Sequence, residues 1–89
     1  MELWIRSQDK KQLLKCEALL IERVGNNRFG IRAFTKNYDF NIANYETKER
    51  ALEVLDEIQQ LLKGLYMQYS GTATISTETN QLIYEMPKE

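Results

Sequence analysis

The strongest pattern in the sequence is a stripe of apolar residues at helical spacing within residues 47–63. Apolar side chains recur there about every 3.6 residues, as they do on the buried face of an amphipathic helix. Thr47 can cap the N-terminus, Glu49 complements the helix dipole in the first turn, and Gly64 suits the position just after the last turn. The pattern predicts one helix over residues 47–63, whose stripe consists of Ala51, Leu52, Val54, Leu55, Ile58, Leu61 and Leu62.

Alternation of apolar and polar residues predicts strands before this helix. Residues 28–34 and residues 38–43 each alternate with a period of two, as half-buried strands do. Residues 25–27 and 35–37 are rich in residues that favour turns, so they predict the connections. Residues 3–5 predict a first short strand.

The segment after the helix predicts a C-terminal β-hairpin. Residues 72–77 are short and rich in β-branched side chains, and residues 81–86 place Leu82, Tyr84 and Met86 on one face. Pro87 cannot donate to a strand ladder and therefore ends the last strand.

Residues 12–24 fit two structures. The helical interpretation uses the spacing of apolar residues and a cap at Ser7 or Asp9, and the local pattern slightly favours it. The strand interpretation requires a change of face near Leu19, which a β-bulge would explain. The residue pattern alone leaves both open.

Composition excludes several kinds of chemistry. The 89 residues include no histidine and one cysteine, so a Ser-His-Asp triad, a Cys-His pair and an imidazole metal site are all excluded. The four glycines are isolated from one another, so no glycine-rich phosphate loop is present. We therefore expect a protein that is not an enzyme and that has no metal site or cofactor. Cys16 lies within an apolar segment, where packing is the usual role of a thiol.

The size and the apolar content indicate one soluble domain. Hydrophobic residues make up 43% of the chain and charged residues 28%, as in ordinary globular proteins. No apolar stretch approaches the roughly 20 residues of a membrane span, and residues 1–6 do not resemble a signal peptide. These features predict a single cytoplasmic domain over residues 1–89 that does not insert into membranes. A core this small would gain stability from oligomerisation.

The net charge of −1 conceals an asymmetry along the chain. Residues 1–36 contain eight Lys or Arg and four Asp or Glu, whereas residues 37–89 contain four and nine. The two halves could form separate basic and acidic faces, or their strands could interleave so that the charges mix. The overall balance argues against a nucleic-acid-binding protein.

Three blocks of the sequence resemble a group of small uncharacterised proteins from phages and prophages of Gram-positive bacteria. They read LWIRSQDK at residues 3–10, YETKERALEVLDEI at residues 45–58 and YEMP at residues 84–87. In that group the segment between the first two blocks usually consists of variable strands, so the resemblance implies strand for residues 12–24. It implies a phage-related origin and no defined activity.

Together these observations predict an α+β fold. We expect an antiparallel β-meander of about four strands, one covering helix at about residues 47–63, and then a C-terminal β-hairpin.

Small phage proteins without an enzyme motif are often inhibitors of host defence, and fold-level analogy extends this expectation to the present chain. The leading hypothesis is a phage-encoded binding protein in the host cytoplasm that sequesters a nucleotide immune signal, such as a cyclic nucleotide. A second hypothesis is an anti-CRISPR-like protein that inhibits a host defence protein through the acidic helix surface or through the surface of residues 66–69. The acidic helix surface would comprise Glu46, Glu49, Glu53, Asp56 and Glu57. A third is an accessory nucleic-acid-binding protein that uses the basic first half.

The candidate ligand-binding residues are Arg6, Arg28, Arg32 and Phe34. Arg28, Arg32 and Phe34 share one face of a predicted strand, and Arg6 lies on another. Guanidinium groups match phosphate oxygens, and an adjacent aromatic ring can stack on a base. A solvated sheet face with no ligand would show the same pattern.

The candidate interface residues are Tyr66, Met67 and Tyr69, which follow the helix without an obvious partner. Tyrosine and methionine are enriched at protein interfaces, so these residues suggest a homo-oligomer. They could equally close the core of a small domain.

Overall fold

The computed structural model describes residues 1–64 and 70–89. Five strands precede the single helix of this part of the chain, and two strands follow it. They are β1 (Glu2–Arg6), β2 (Leu13–Cys16), β3 (Ala18–Val24), β4 (Arg28–Phe34), β5 (Asp39–Tyr45), α1 (Lys48–Leu62), β6 (Thr72–Ser76) and β7 (Gln81–Glu85).

The strands form two sheets. One contains four strands in the order β2-β1-β7-β6, and the other contains three in the order β3-β4-β5. All neighbours are antiparallel except β1 and β7, which run parallel. The predicted α+β class, the helix and the C-terminal hairpin are confirmed. Five strands rather than about four precede the helix, and they are divided between the sheets.

Residues 12–24 are extended, as the resemblance implies. The chain leaves the four-stranded sheet at Cys16 and enters the three-stranded sheet at Ala18. The intervening Glu17 donates its backbone N–H to the carbonyl of Phe34 at 2.8 Å. The change of face therefore falls at Glu17, where the chain passes between sheets, and not near Leu19.

The helix begins and ends where its sequence signals predict. Thr47 has extended backbone angles, and its side chain accepts a hydrogen bond from the backbone N–H of Arg50. Gly64 follows the C-cap residue Lys63 at a φ of 81°, a conformation that glycine adopts without strain. The buried face consists of Ala51, Val54, Ile58 and Leu61, and it packs against the three-stranded sheet.

A single core joins the two sheets and the helix. Ile5, Leu82 and Tyr84 supply it from the four-stranded sheet, and Ile31 and Ala33 supply it from the three-stranded sheet. All five are fully buried. The helix adds Ala51, Val54, Ile58 and Leu61 to the same core. Full burial of a leucine or isoleucine side chain contributes roughly 1.5–3 kcal/mol, so this shared core is a major source of stability.

Glu57 anchors the chain where it returns from the helix to β6. Its carboxylate accepts hydrogen bonds from the Tyr84 hydroxyl at 3.0 Å, the Gly71 N–H at 2.9 Å and the Ser70 hydroxyl at 2.7 Å. Sequence periodicity placed Glu57 on the acidic outer surface of the helix. The residue lies outside the buried face of the helix and is only partly buried, but the three donors hold its carboxylate in place.

The three sequence blocks that carry the resemblance meet at the C-terminal segment. Gln8, from the first block, donates its side-chain N–H to the Pro87 carbonyl at 3.2 Å. Tyr45, which begins the second block, donates its hydroxyl to the same carbonyl at 2.8 Å. Pro87 itself ends the third block. These contacts give the residues that carry the resemblance a structural role.

The basic and acidic halves of the chain mix in space. The four-stranded sheet takes two strands from each half. Ion pairs also cross between the halves, with Lys10 3.8 Å from Glu85 and Arg32 2.8 Å from Asp39. Within residues 1–64 and 70–89, no helix combines the length and apolar character needed to cross a bilayer.

Candidate functional site

The predicted ligand-binding residues lie on two different sheets. Arg28, Arg32 and Phe34 share the outer face of β4, where their register partners on β3 are Val24, Leu20 and Ala18. Arg6 lies instead on β1 in the other sheet, and its guanidinium donates to the Lys10 carbonyl at 3.0 Å. The structure therefore groups three of the four residues and separates Arg6 from them.

Arg32 is held by two carboxylates. Its Nε lies 2.9 Å from Glu22 and its Nη1 lies 2.8 Å from Asp39, so the guanidinium bridges the strands on either side of β4. Glu22 and Asp39 accept these hydrogen bonds, of which the bond to Glu22 has the larger effect, and they raise the pKa of Arg32. The two carboxylates already compensate the charge of Arg32, which leaves little attraction for a ligand phosphate.

Two asparagine amides cover the middle of the same face. Asn41 and Asn44 exchange side-chain hydrogen bonds of 3.0 and 3.1 Å across Gly30. A Cβ at Gly30 would collide with the Asn41 amide nitrogen, so only glycine permits this close arrangement. The centre of the face is thus closed by its own polar groups.

A pocket opens beside Arg28 at the other end of β4. Its volume is about 490 Å³, which lies within the usual range for small-ligand sites. Strand β4, the end of β5, the start of α1 and the C-terminal residues all contribute to it. The lining residues are Arg28, Asn44, Tyr45, Glu46, Thr47, Arg50, Lys88 and Glu89.

Arg28 is only weakly held in this pocket. Its side chain is exposed, and its Nη2 donates one long hydrogen bond of 3.4 Å to the Asn44 carbonyl. Among the residues that the structure describes, no carboxylate forms an ion pair with Arg28 or Lys88. Both charges therefore remain available to an anionic ligand.

Arg50 is oriented by an aromatic ring and by the end of the chain. Its guanidinium carbon lies 5.7 Å from the centre of the Tyr45 ring, a cation–π arrangement. Its Nε and Nη2 both donate to the main-chain oxygen of Glu89, at 2.9 and 2.7 Å. One main-chain oxygen therefore occupies two donors of this arginine. A phosphate oxygen in the same place would accept charge-assisted hydrogen bonds from the same two donors.

The Tyr45 hydroxyl remains protonated. Burial raises the pKa of Tyr45 to about 12, while the positive charge of Arg50 acts in the opposite direction. The hydroxyl therefore donates to Pro87 at neutral pH. This bond fixes the ring that supports Arg50, so the wall of the pocket is part of the packed core.

The charges around the pocket favour an anionic ligand, although two carboxylate side chains oppose it. Arg28, Arg50 and Lys88 face Glu46 and Glu89 around the same space. The N-terminus of α1, capped by Thr47, adds partial positive charge from its backbone N–H groups. Three cationic side chains thus face two carboxylate side chains around the pocket. Arg50 also lies 3.8 Å from the carboxylate of Glu53, whereas Arg28 and Lys88 have no ion-pair partner in the described residues.

Sequence reasoning identified Arg28 but missed Arg50 and Lys88. Arg50 occupies the outer side of a predicted helix, where charged residues are ordinary. Arg50 lies three residues after the Thr47 cap, so the sequence does indicate that it stands beside the helix N-terminus, where anions are favoured. Lys88 follows the last strand, so nothing local connects it with a residue 60 positions earlier.

A second, mostly apolar groove of about 530 Å³ lies between the helix and the junction of the two sheets. Leu3, Cys16, Leu19, Leu55 and Leu62 contribute to it. Burial raises the pKa of the Cys16 thiol, which is opposite to the shift that activates a nucleophilic cysteine. The charged residues that line the groove are Glu2, Lys15 and Glu17, and Lys15 is already paired with Glu2 at 3.0 Å. We therefore take the cationic pocket as the candidate site.

The predicted interface residues Tyr66, Met67 and Tyr69 lie outside the described residues. Within residues 1–64 and 70–89, no group of three or more cysteine or carboxylate side chains is arranged to hold a metal ion. Comparison with protein-family models, with curated proteins and with solved structures finds no match for this chain.

Proposed function

We propose that this protein is a binding protein without enzymatic activity, and that it holds a phosphate-bearing ligand in the cationic pocket. The observation that carries this proposal is the convergence of Arg28, Arg50 and Lys88 around about 490 Å³ of space. Arg28 and Lys88 have no ion-pair partner among the described residues, unlike Arg32.

The chemistry of the pocket fits a nucleotide better than a bare anion. Arginine forks bind phosphate oxygens in a defined orientation, and the pocket volume exceeds what a single phosphate requires. Thr47 adds an uncharged group, since its hydroxyl oxygen accepts from the Arg50 N–H while its O–H can donate to a sugar or a base.

The resemblance to phage proteins supplies the biological setting of the proposal. The protein would act in the cytoplasm of an infected bacterium and sequester a nucleotide immune signal. Sequestration requires no catalysis, and it works by mass action when the affinity and the copy number of the protein exceed those of the signal.

The test is a thermal-shift panel of cyclic nucleotides and cyclic dinucleotides, with inorganic phosphate and uncharged nucleosides as comparators. A ligand at 100 times its Kd stabilises the folded state by about 2.7 kcal/mol. For a chain of this size, that raises Tm by roughly 10 °C or more. If no nucleotide shifts Tm at millimolar concentration, the proposal is wrong.

Substitutions locate the binding site. Arg28→Ala should weaken binding by about tenfold or more, because it removes charge-assisted hydrogen bonds to the ligand. Arg23→Ala is the matched control, since Arg23 is an exposed arginine that donates to the Asn26 carbonyl and does not line the pocket. Arg32→Ala should leave binding unchanged. Equal losses in all three variants would contradict a site at the pocket.

A second candidate function is inhibition of a host defence protein by direct contact. The apolar side chain of Leu52 is 43% exposed on the helix. The acidic residues Glu49, Glu53 and Asp56 surround it. An apolar side chain surrounded by carboxylates can contact a basic partner with an apolar centre. Stoichiometric capture of one host defence protein that Leu52→Glu abolishes and Arg28→Ala preserves would favour this function over nucleotide sequestration.

A further inference from the structure

Strand β6 forms the outer edge of the four-stranded sheet. It pairs with β7 on one side, in a register that places Thr74 opposite Ile83. In the part of the chain that the structure describes, no strand pairs with its other side. An unpaired edge presents a row of backbone N–H and C=O groups that can accept another strand.

Proteins usually protect such edges with charged residues, proline, a bulge or a covering segment. The remaining edge strands of this protein carry such protection. Strand β3 contains Glu22 and Arg23, and the short strand β2 contains Lys15. At β5 the backbone N–H of Gln8 donates to the Ile42 carbonyl at 2.8 Å. Among the edge strands of residues 1–64 and 70–89, only β6, with the sequence TATIS, has neither a charged residue nor a proline.

The sequence of β6 is complementary to itself. If two copies pair antiparallel about Thr74, Thr72 lies opposite Ser76, and Ala73 lies opposite Ile75. Hydroxyl groups then meet on one face of the sheet and apolar groups meet on the other. Cross-strand threonine pairs and paired apolar residues both favour antiparallel association.

We propose that β6 pairs antiparallel with β6 of a second copy of this chain, so that the two four-stranded sheets join into one sheet of eight strands across a two-fold axis. Such an interface is isologous, with the same surface contributed by each copy. It goes beyond the proposed ligand site, because no residue that lines the cationic pocket belongs to β6.

The proposed dimer can be tested by placing like charges opposite each other at the centre of β6. Thr74 is exposed and pairs with its own counterpart in the proposed dimer, so Thr74→Lys places two lysines opposite each other. Thr74→Glu places two carboxylates there. Each variant alone should raise the dimer dissociation constant at least about tenfold, and an equimolar mixture of the two should restore the dimer. Sedimentation velocity over about a hundredfold range of protein concentration measures this change.

Thr79→Lys is the matched control, because it adds the same charge at an exposed threonine in the turn beyond β6. It should leave the dimer intact.

Hydrogen exchange of the wild-type protein gives a readout that needs no variant. Amides within β6 should exchange more slowly at high protein concentration than at low concentration, whereas amides of β3 should not change.

Three results would overturn the proposal. One is a wild-type protein that stays monomeric over the whole concentration range. Another is a dimer that Thr74→Lys and Thr74→Glu leave unchanged, which would place the interface elsewhere. A ladder of larger oligomers would indicate open-ended pairing of β6 with β2 and would exclude the two-fold arrangement.

Discussion

The two strands β5 and β6 both lie at the edge of a sheet, but only β5 is closed. Gln8 reaches β5 from the turn that follows β1. Its side-chain oxygen accepts from the Asn44 N–H at 2.9 Å, and its side-chain nitrogen donates to the Asn44 carbonyl at 3.1 Å. A glutamine amide has the same donor and acceptor as a peptide group, so one side chain replaces a paired residue of a neighbouring strand. The difference shows that a turn from another sheet can seal an edge without adding a strand.

The attachment of β6 to the rest of the fold depends on close packing at its start. A Cβ at Gly71 would collide with the Tyr84 ring and lie 2.7 Å from the Glu85 carbonyl. We expect Gly71→Ala to lower the free energy of unfolding by about 3 kcal/mol, because backbone and a buried ring cannot both move aside. Urea unfolding measures the loss.

Gly64→Ala is the control for this prediction. Gly64 also has no side chain, but a Cβ there would meet no atom within 4 Å. Its φ of 81° still disfavours alanine, at a cost of about 1 kcal/mol. A Gly71→Ala loss no larger than the Gly64→Ala loss would show that β6 is held loosely.

Gln8→Ala opens the closed edge. The substitution removes the two bonds to Asn44 and the bonds to the carbonyls of Pro87 and Lys88. Water can replace some of these partners, so we expect a loss of about 2 kcal/mol in the free energy of unfolding. The Asn44 amide should also exchange faster with solvent. Gln59→Ala, at an exposed helical position, should change stability by less than about 0.5 kcal/mol.

Acid should loosen the anchor of β6 while leaving the Gln8 contacts intact. Burial by itself raises the pKa of Glu57, but hydrogen bonds from Ser70, Gly71 and Tyr84 outweigh it and leave the pKa below its ordinary value. A carboxyl group with a lowered pKa in the folded state stabilises the protein above its ordinary pKa. That stabilisation is lost as the pH falls through the folded-state pKa.

Between about pH 6 and about pH 3, the wild-type protein should therefore lose more stability than Glu57→Gln does. The comparison of the two proteins isolates Glu57 from Glu2, Asp9 and Glu22, whose pKa values also lie below their ordinary values. Parallel acid curves for the two proteins would contradict the prediction.

Arg32→Ala should have the smallest effect. The substitution removes two ion pairs from an exposed sheet face, where water already solvates the charges. The urea midpoint should fall by less than it does for Gln8→Ala. If Arg32→Ala is the more damaging change, the stability of the three-stranded sheet depends on its face and not on its closed edge.

Local patterns predicted most of the elements of the fold. The helix from Lys48 to Leu62, its Thr47 cap and the buried residues Leu82 and Tyr84 all follow from side-chain periodicity and capping chemistry. These features depend on residues within a few positions of one another. For the same reason, periodicity could not predict the hydrogen bonds of Glu57, whose donors at Ser70 and Gly71 lie 13 and 14 positions further along the chain.

The division into two sheets could not be predicted from local patterns. It depends on parallel pairing of β1 with β7, where Leu3 lies beside Leu82. No turn or crossover helix directly joins these strands, so their pairing leaves no short-range signal. The candidate pocket also depends on contacts between distant parts of the chain. Arg28, Arg50 and Lys88 become neighbours only after both sheets and the helix are assembled.

The parallel pairing of β1 with β7 also determines when the four-stranded sheet can form. Glu2 pairs with Gln81 and Arg6 pairs with Glu85, so the first strand lacks this neighbour until residues 81–85 have been synthesised. At typical ribosome rates that delay is roughly 4–16 s. Contacts between distant parts of a chain also form slowly during refolding. The antiparallel strands β3, β4 and β5 can pair earlier, because their partners are close in sequence. The open edge at β6 is therefore joined to the rest of its sheet only after β7 has paired with both β6 and β1.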